Sequence, residues 1–193
     1  MAGWLASREE LTNDQARAVE LAPDRNRVFR GGPGSGKTLV LLHRARHLAD
    51  TLRVRPGRFL VLVYTNALTS FLRAAIAELG IPPEAVRTYD DWCAEHWERF
   101  VPAPKPLRGS GVPDFEAIRR GVRQEVLRSR RRRPLYDFVL VDEGQDLDAD
   151  TFDTLARVSA HVTVALDPQQ RIYERGAGES EVLAALGLFS CSV

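Results

Sequence analysis

Gly31-Gly32-Pro33-Gly34-Ser35-Gly36-Lys37-Thr38 has the spacing G-x-x-x-x-G-K-[ST], that of a phosphate-binding loop. Its glycines let the backbone curl until several N–H groups point into one cavity, where a β-phosphate fits. Lys37 brings a positive charge for the β- and γ-phosphates, and Thr38 offers a hydroxyl to Mg²⁺. A helix starting here would aim its positive dipole end at the same anion. The flanks support this. Arg27-Val28-Phe29-Arg30 reads as a short buried strand, and Leu39, Val40, Leu41, Leu42, Ala45 and Leu48 form an apolar helical face.

Working outward, three more apolar runs read as parallel strands covered on both faces: Phe59 to Tyr64, Tyr136 to Val141 and His161 to Leu166. Ala85 to Tyr89 reads as a shorter one. Between them lie helical patterns: Leu11 to Glu20, Ala67 to Leu79 stopped by Gly80, a helix to Phe100 capped by Asp90 or Asp91, a helix from Asp114 to about Ser129, Asp150 to Val158, and Glu181 to Leu186. Pro102, Pro104, Pro106 and Pro113 mark a loop. Alternating strands and helices predict an α/β fold with a parallel sheet and ligands at the carboxyl ends of its strands. The polar clusters fall at those ends. Asp142 is placed to hold Mg²⁺, and Glu143 to orient and deprotonate a water attacking the γ-phosphate. Gln170 is placed to sense that phosphate through its amide. Gln15 has two readings: a capping-box partner of Thr12, or an amide that reads the edge of adenine.

The chain has 193 residues, enough for one domain with a small subdomain, and a net charge of +1 that by itself says nothing about partners. The distribution is more telling. Arg119 to Arg133 contains Arg119, Arg120, Arg123, Arg128, Arg130, Arg131, Arg132 and Arg133 against Glu125 alone. Crowded arginines repel one another unless an anion is near, which favours a nucleic-acid backbone contact. Cys93 and Cys191 have no metal-ligand or disulfide-framework spacing. With no signal-peptide pattern at the start and no apolar stretch long enough to span a membrane, a cytoplasmic setting is expected.

Together these residues resemble the first motor domain of a superfamily 1 DNA helicase of the UvrD/Rep/PcrA type. Leu11-Thr12-Asn13-Asp14-Gln15 resembles the Q motif and Gly31 to Thr38 motif I. Tyr64-Thr65-Asn66 resembles the Phe-Thr-Asn of motif Ia, Thr88-Tyr89-Asp90 stands where the family has Thr-Phe-His, and Asp142-Glu143-Gly144-Gln145-Asp146 is similar to Asp-Glu-Ala-Gln-Asp. Asp167 to Tyr173 resembles motif III. The Gln and Asp after Asp142-Glu143 are the most specific part, because phosphate-loop enzymes in general do not require them.

The resemblance implies a three-layer P-loop NTPase (RecA-like) domain over residues 1–193, with a small, mostly helical 1B-like insertion at 90–133. It implies ATP and Mg²⁺ at Gln15, Gly31, Gly32, Pro33, Gly34, Ser35, Gly36, Lys37, Thr38 and Asp142, with Lys37, Glu143 and Gln170 in catalytic roles. It also implies single-stranded DNA at Tyr64, Thr65, Asn66, Thr88 and Tyr173, to which the arginine reading adds Arg130, Arg131, Arg132 and Arg133. Asp90 departs from the family's histidine. Tyr173-Glu174-Arg175-Gly176-Ala177 lacks the aromatic that motif III usually carries before Arg-Gly-Ala, a loss of about 1–3 kcal/mol of stacking per base. Nothing in residues 174–193 resembles the family's second RecA-like domain. Slow ATP hydrolysis is therefore expected until such a domain or a partner chain supplies arginines. The alternative is a nucleotide-gated nucleic-acid binder without productive turnover.

Overall fold

The computed structural model describes residues 6–109, 111–167, 169 and 176–192. Among these, helix α1 (Asn13–Glu20) precedes strand β1 (Arg27–Arg30), followed by α2 (Lys37–Thr51), β2 (Phe59–Val63), α3 (Asn66–Glu78), β3 (Val86–Thr88) and α4 (Tyr89–Phe100). Then come α5 (Phe115–Arg128), β4 (Phe138–Val141), α6 (Ala149–Val158), β5 (Val162–Leu166) and α7 (Glu179–Ala185). The strands form one five-stranded sheet in the order β1-β5-β4-β2-β3. Every neighbouring pair is parallel.

Strand side chains alternate between two cores, as a period of two requires. Val28, Leu60, Leu62, Val139, Val141, Val162, Val164 and Leu166 share a cluster with residues of α4, α5, α6 and α7. Phe29, Phe59, Val61, Val63, Phe138, Leu140 and Ala165 share the other with residues of α1, α2 and α3. Both faces are covered, so the strands read as continuous apolar runs. The Phe59 and Phe138 rings stack across neighbouring strands with centroids 4.8 Å apart.

Helices α4 and α5 run parallel. Arg119 binds Asp90 through two contacts of 2.6 and 2.8 Å, and His96 lies 2.7 Å from Glu125. Both pairs span the same 29 positions, so the segment between the helices returns along them. Trp92 and Trp97 are buried in the α4–α7 core together with Ile118, Val122 and Val126. A Cβ on Gly121 would lie 2.2 Å from the Trp97 ring, so α5 approaches that ring closely only as glycine.

The start of α4 corrects the sequence reading. Its cap is Thr88, which accepts from the Asp91 N–H at 3.1 Å, rather than Asp90 or Asp91. The helix begins directly where β3 ends. That turns both acids into first-turn residues that suit the positive helix end, and Arg119 neutralises Asp90. No helix among the described residues is long and apolar enough to cross a membrane.

Candidate active site

The phosphate loop leaves β1 and opens α2. Gly34 and Gly36 take φ of +73° and +81°, a region costly to any residue with a Cβ. A Cβ on Gly31 would stand 2.3 Å from Ser35 Oγ, and one on Gly36 would stand 2.5 Å from Gln15 Nε2. The loop start is tied down by Gly31 N–H donating to Leu166 O at 3.2 Å.

Strand order then sets the chemistry. Since β5 lies between β1 and β4, the end of β5 sits between the phosphate loop and the Asp142 turn. Lys37 Nζ donates to Gly31 O and Gly32 O, each at 3.0 Å, and to Asp167 Oδ2 at 3.1 Å. This ion pair is buried, with the two side chains 10% and 1% exposed. Thr38 Oγ1 donates to Asp142 Oδ2 at 2.7 Å. Burial pushes the Asp142 carboxyl up to about 6. The Thr38 hydroxyl and the Glu143 N–H pull it down, while the charge of Glu143 pushes it up.

Glu143 adopts a left-handed conformation, φ 50° and ψ 47°. A non-glycine residue is held there only when its surroundings over-determine it, and such positions cluster at functional sites. Here the restraints are visible. Its N–H donates to Asp142 Oδ1 at 3.1 Å, and Gln145 Nε2 donates to its carboxylate at 2.6 Å. The other end of the same amide, Gln145 Oε1, accepts from the Asp167 N–H at 3.0 Å. Two glycines let this turn pack. A Cβ on Gly144 would meet Val164 Cγ1 at 2.3 Å, and one on Gly176 would meet Gln145 O at 1.9 Å.

Asp167 and Gln145 are the functional residues that the sequence reading passed over, though both stand in quoted motifs. A Gln two positions after the glutamate was a signal for Gln145. The pairing of Asp167 with Lys37 depends on strand order and left no trace in spacing.

Gln15 serves both of its readings in part. Its Oε1 accepts from Thr12 N–H at 2.9 Å, completing the capping box, while its Nε2 donates to Ser35 O at 3.1 Å. Thr65 and Asn66 are exposed at the carboxyl end of β2, with Tyr64 half-buried beside them. Thr88 lies at the same edge but is only 6% exposed, and its hydroxyl oxygen is taken up by the α4 cap. Gln170 and Tyr173 lie outside the described residues. Arg130 to Arg133 do not join this edge. They precede β4, so they lie at the amino end of the sheet.

Residues 11–104 match the model of the UvrD/REP helicase N-terminal domain. This chain carries a UvrD-type helicase N-terminal region. The chain is 41% identical over 69 residues to the ATP-dependent DNA helicase PcrA of Leuconostoc citreum, covering 36% of this chain and 9% of that protein. It is 34% identical over 67 residues to DNA helicase II of Escherichia coli, covering 35% and 9%. A probable DNA helicase II homolog of Mycoplasma pneumoniae is 24% identical over 177 residues, covering 86% of this chain and 23% of the relative. The chain thus spans less than a quarter of the length of these relatives. Domain III of the Thermotoga maritima replication initiation protein DnaA covers 90% of the chain and 56% of its own at a TM-score of 0.42 and 14% identity, too distant to bear on the site.

Proposed function

We propose that this chain is the ATP-binding motor domain of a UvrD-like DNA helicase, a three-layer RecA-like domain in which residues 90–133 take the place of a small 1B-like helical insertion. The observation that carries the reading is the convergence of Lys37, Thr38, Asp142 and Glu143 at the carboxyl ends of β1 and β4, with Asp167, just after β5, between them. A cytoplasmic setting accompanies this reading.

The residues suit ATP·Mg²⁺. Glycines keep the loop open to phosphate, and a hydroxyl and a carboxylate stand together where a hard cation takes oxygen ligands. Mg²⁺, held through Thr38 and Asp142, would supply positive charge to the β- and γ-phosphate oxygens. Lys37 exchanges its carbonyl and Asp167 contacts for phosphate oxygens. Glu143, aimed by Gln145, orients the attacking water and takes its proton. Gln15 exchanges its loop contact for adenine, and Gln170 reads the γ-phosphate. Tyr64, Thr65 and Asn66 carry single-stranded DNA at the same edge, and Tyr173 belongs with them.

Arginines of a second RecA-like domain complete the site, a contribution of about 10³–10⁵ in rate in well-studied NTPases. The 193 residues alone therefore bind ATP and turn it over slowly. Calorimetric ATP titration together with steady-state ATPase, with and without single-stranded DNA, tests this. Binding with slow turnover is expected. Turnover at helicase-like rates stimulated by DNA would overturn the half-site reading, and absent ATP binding would overturn the nucleotide reading. Glu143→Gln should keep affinity and remove the residual hydrolysis.

A further inference from the structure

The amino edge of the sheet carries a surface that the nucleotide site does not use. Two turns meet there, residues 52–58 before β2 and residues 129–137 before β4. Arg58 laces them together. It donates to Pro134 O at 3.0 Å and Leu135 O at 2.8 Å, and pairs with Asp137 at 2.6 Å, while Asp137 N–H donates back to Arg58 O at 2.7 Å. Arg131 is likewise structural, bound to Glu125 at 2.7 Å and lying 4.4 Å from the centroid of the Phe100 ring.

Around these fixed arginines stand Arg53, Arg55, Arg130, Arg132 and Arg133. All are exposed, and none of their side chains has a hydrogen bond or ion pair among the described residues. The acids of the flanking segments are already engaged. Asp50 is held by Arg46, Glu125 by Arg131 and Asp137 by Arg58. Arg53 adds an independent observation. It takes φ 51° at the end of α2, a position where glycine is the residue of least cost. A long cation occupies a strained position that a smaller residue would fill more cheaply, which points to a use for its charge.

We propose that this edge binds the backbone of duplex DNA through Arg53, Arg55, Arg130, Arg132 and Arg133, separately from the nucleotide site. Guanidinium groups match phosphate oxygens with paired N–H donors. Among the described residues the two turns present no fully exposed aromatic, which favours duplex over single strand, since single-strand sites combine cations with exposed aromatics. The aromatic of these turns, Tyr136, is half-buried and accepts from Trp92 Nε1 at 3.0 Å. A protein partner would call for an apolar anchor. The exposed Leu52 caps the end of α2 and Leu127 belongs to α5, and these helices cover opposite faces of the sheet, so the two leucines make no common patch. The two edges are separated by the strands themselves, roughly 13 Å for the four residues of β4.

The test is fluorescence anisotropy of a labelled duplex with the full chain, without nucleotide, across a salt series. Each phosphate contact contributes about 0.9 to the slope of log K against log salt. Arg130→Gln/Arg132→Gln/Arg133→Gln should lower that slope by roughly 3, with ATP affinity and melting temperature unchanged. An unchanged slope would overturn the proposal. So would displacement of the duplex by poly-glutamate at lower charge concentration than by unlabelled duplex, which would assign the edge to an acidic protein. The proposal does not rest on the nucleotide reading, because duplex binding is read without nucleotide and ATP affinity in a separate titration of the same proteins.

Discussion

The two ends of the sheet handle charge in opposite ways. At the carboxyl end the charged and polar groups are satisfied from within: Lys37 by Asp167, Asp142 by Thr38 and Glu143 by Gln145. A ligand arriving there must displace contacts that already exist. That favours groups able to replace them in the same geometry. At the amino end Arg53, Arg55, Arg130, Arg132 and Arg133 lack internal partners among the described residues. An anion arriving there displaces only water and counterions, so its binding is additive, salt-screened and tolerant of shape.

The comparison breaks most visibly at Lys37. Lys37→Ala removes the cation for the phosphates, and ATP affinity should fall at least about a hundredfold, the loss of one charged contact worth roughly 3 kcal/mol or more. It also removes the cation paired with Asp167, which is 1% exposed and still accepts from the Gln169 N–H at 3.0 Å. Removing one partner of a buried ion pair typically costs about 3–5 kcal/mol. Chemical denaturation should show that loss, and Lys37→Ala/Asp167→Asn should recover much of it without recovering ATP binding. Equal stability of Lys37→Ala and the parent would mean that the carboxyl end is not internally paired.

Asp142 gives the next largest effect, with a sign opposite to that of most charge removals. Its carboxyl titrates near 6 in the fold against 3.8 as a free group, chiefly because of burial. In that window the folded chain binds more protons than the unfolded one. Stability should therefore fall as pH rises from about 4 to about 6, by up to about 3 kcal/mol, and stay low above it. Asp142→Asn should remove this slope and stabilise the chain at neutral pH in urea titrations. Mg²⁺-dependent nucleotide affinity should run the other way, rising through the same window in the parent and absent from the variant. A stability profile that is the same in both proteins would remove Asp142 as its source.

Much of this end was legible because its demands are local. Gly31 to Thr38 needs particular residues at fixed spacing, and Asp142-Glu143 follows an apolar run that only a buried strand explains. The elements themselves were readable from apolar runs, caps and glycine stops. The insertion of β5 between β1 and β4 was not, because strand order is set by packing across the whole sheet, and the Lys37–Asp167 pair is hidden with it. The arginines show the converse. Their number is plain in the sequence, but strand direction and the parallel α4 and α5 put Arg130 to Arg133 at the far edge from Thr65 and Asn66. Thr88 is the α4 cap, and the Thr-x-x-Asp spacing from Thr88 to Asp91 is a capping signature that the reading of Asp90 or Asp91 as the cap passed over.

Gly144 sharpens the comparison at smaller scale, since internal satisfaction depends on close packing as well as charge. Gly144→Ala places a methyl 2.3 Å from Val164 Cγ1 and 3.0 Å from Leu166 Cδ2. Overpacking of this kind costs about 1–3 kcal/mol. It should also move Glu143 and slow any hydrolysis. Adding Val164→Ala opens the space, so the double variant should be more stable than additivity predicts. Strict additivity in denaturation experiments would mean that the two side chains do not meet.

The smallest effect separates the two ends most cleanly. Arg53→Gly relieves the left-handed backbone at φ 51° and should stabilise the chain by about 1 kcal/mol. The same change removes one cation from the amino edge, lowering the salt slope of duplex binding by about 0.9. It leaves ATP affinity alone, because Arg53 lies beyond the far end of α2 from the phosphate loop. A variant both more stable and weaker for DNA would show that fold stability is given up at this position to present a charge. If stability rises while the slope holds, Arg53 is merely a strained turn residue, and the amino edge would have to hold DNA through Arg55, Arg130, Arg132 and Arg133 without it.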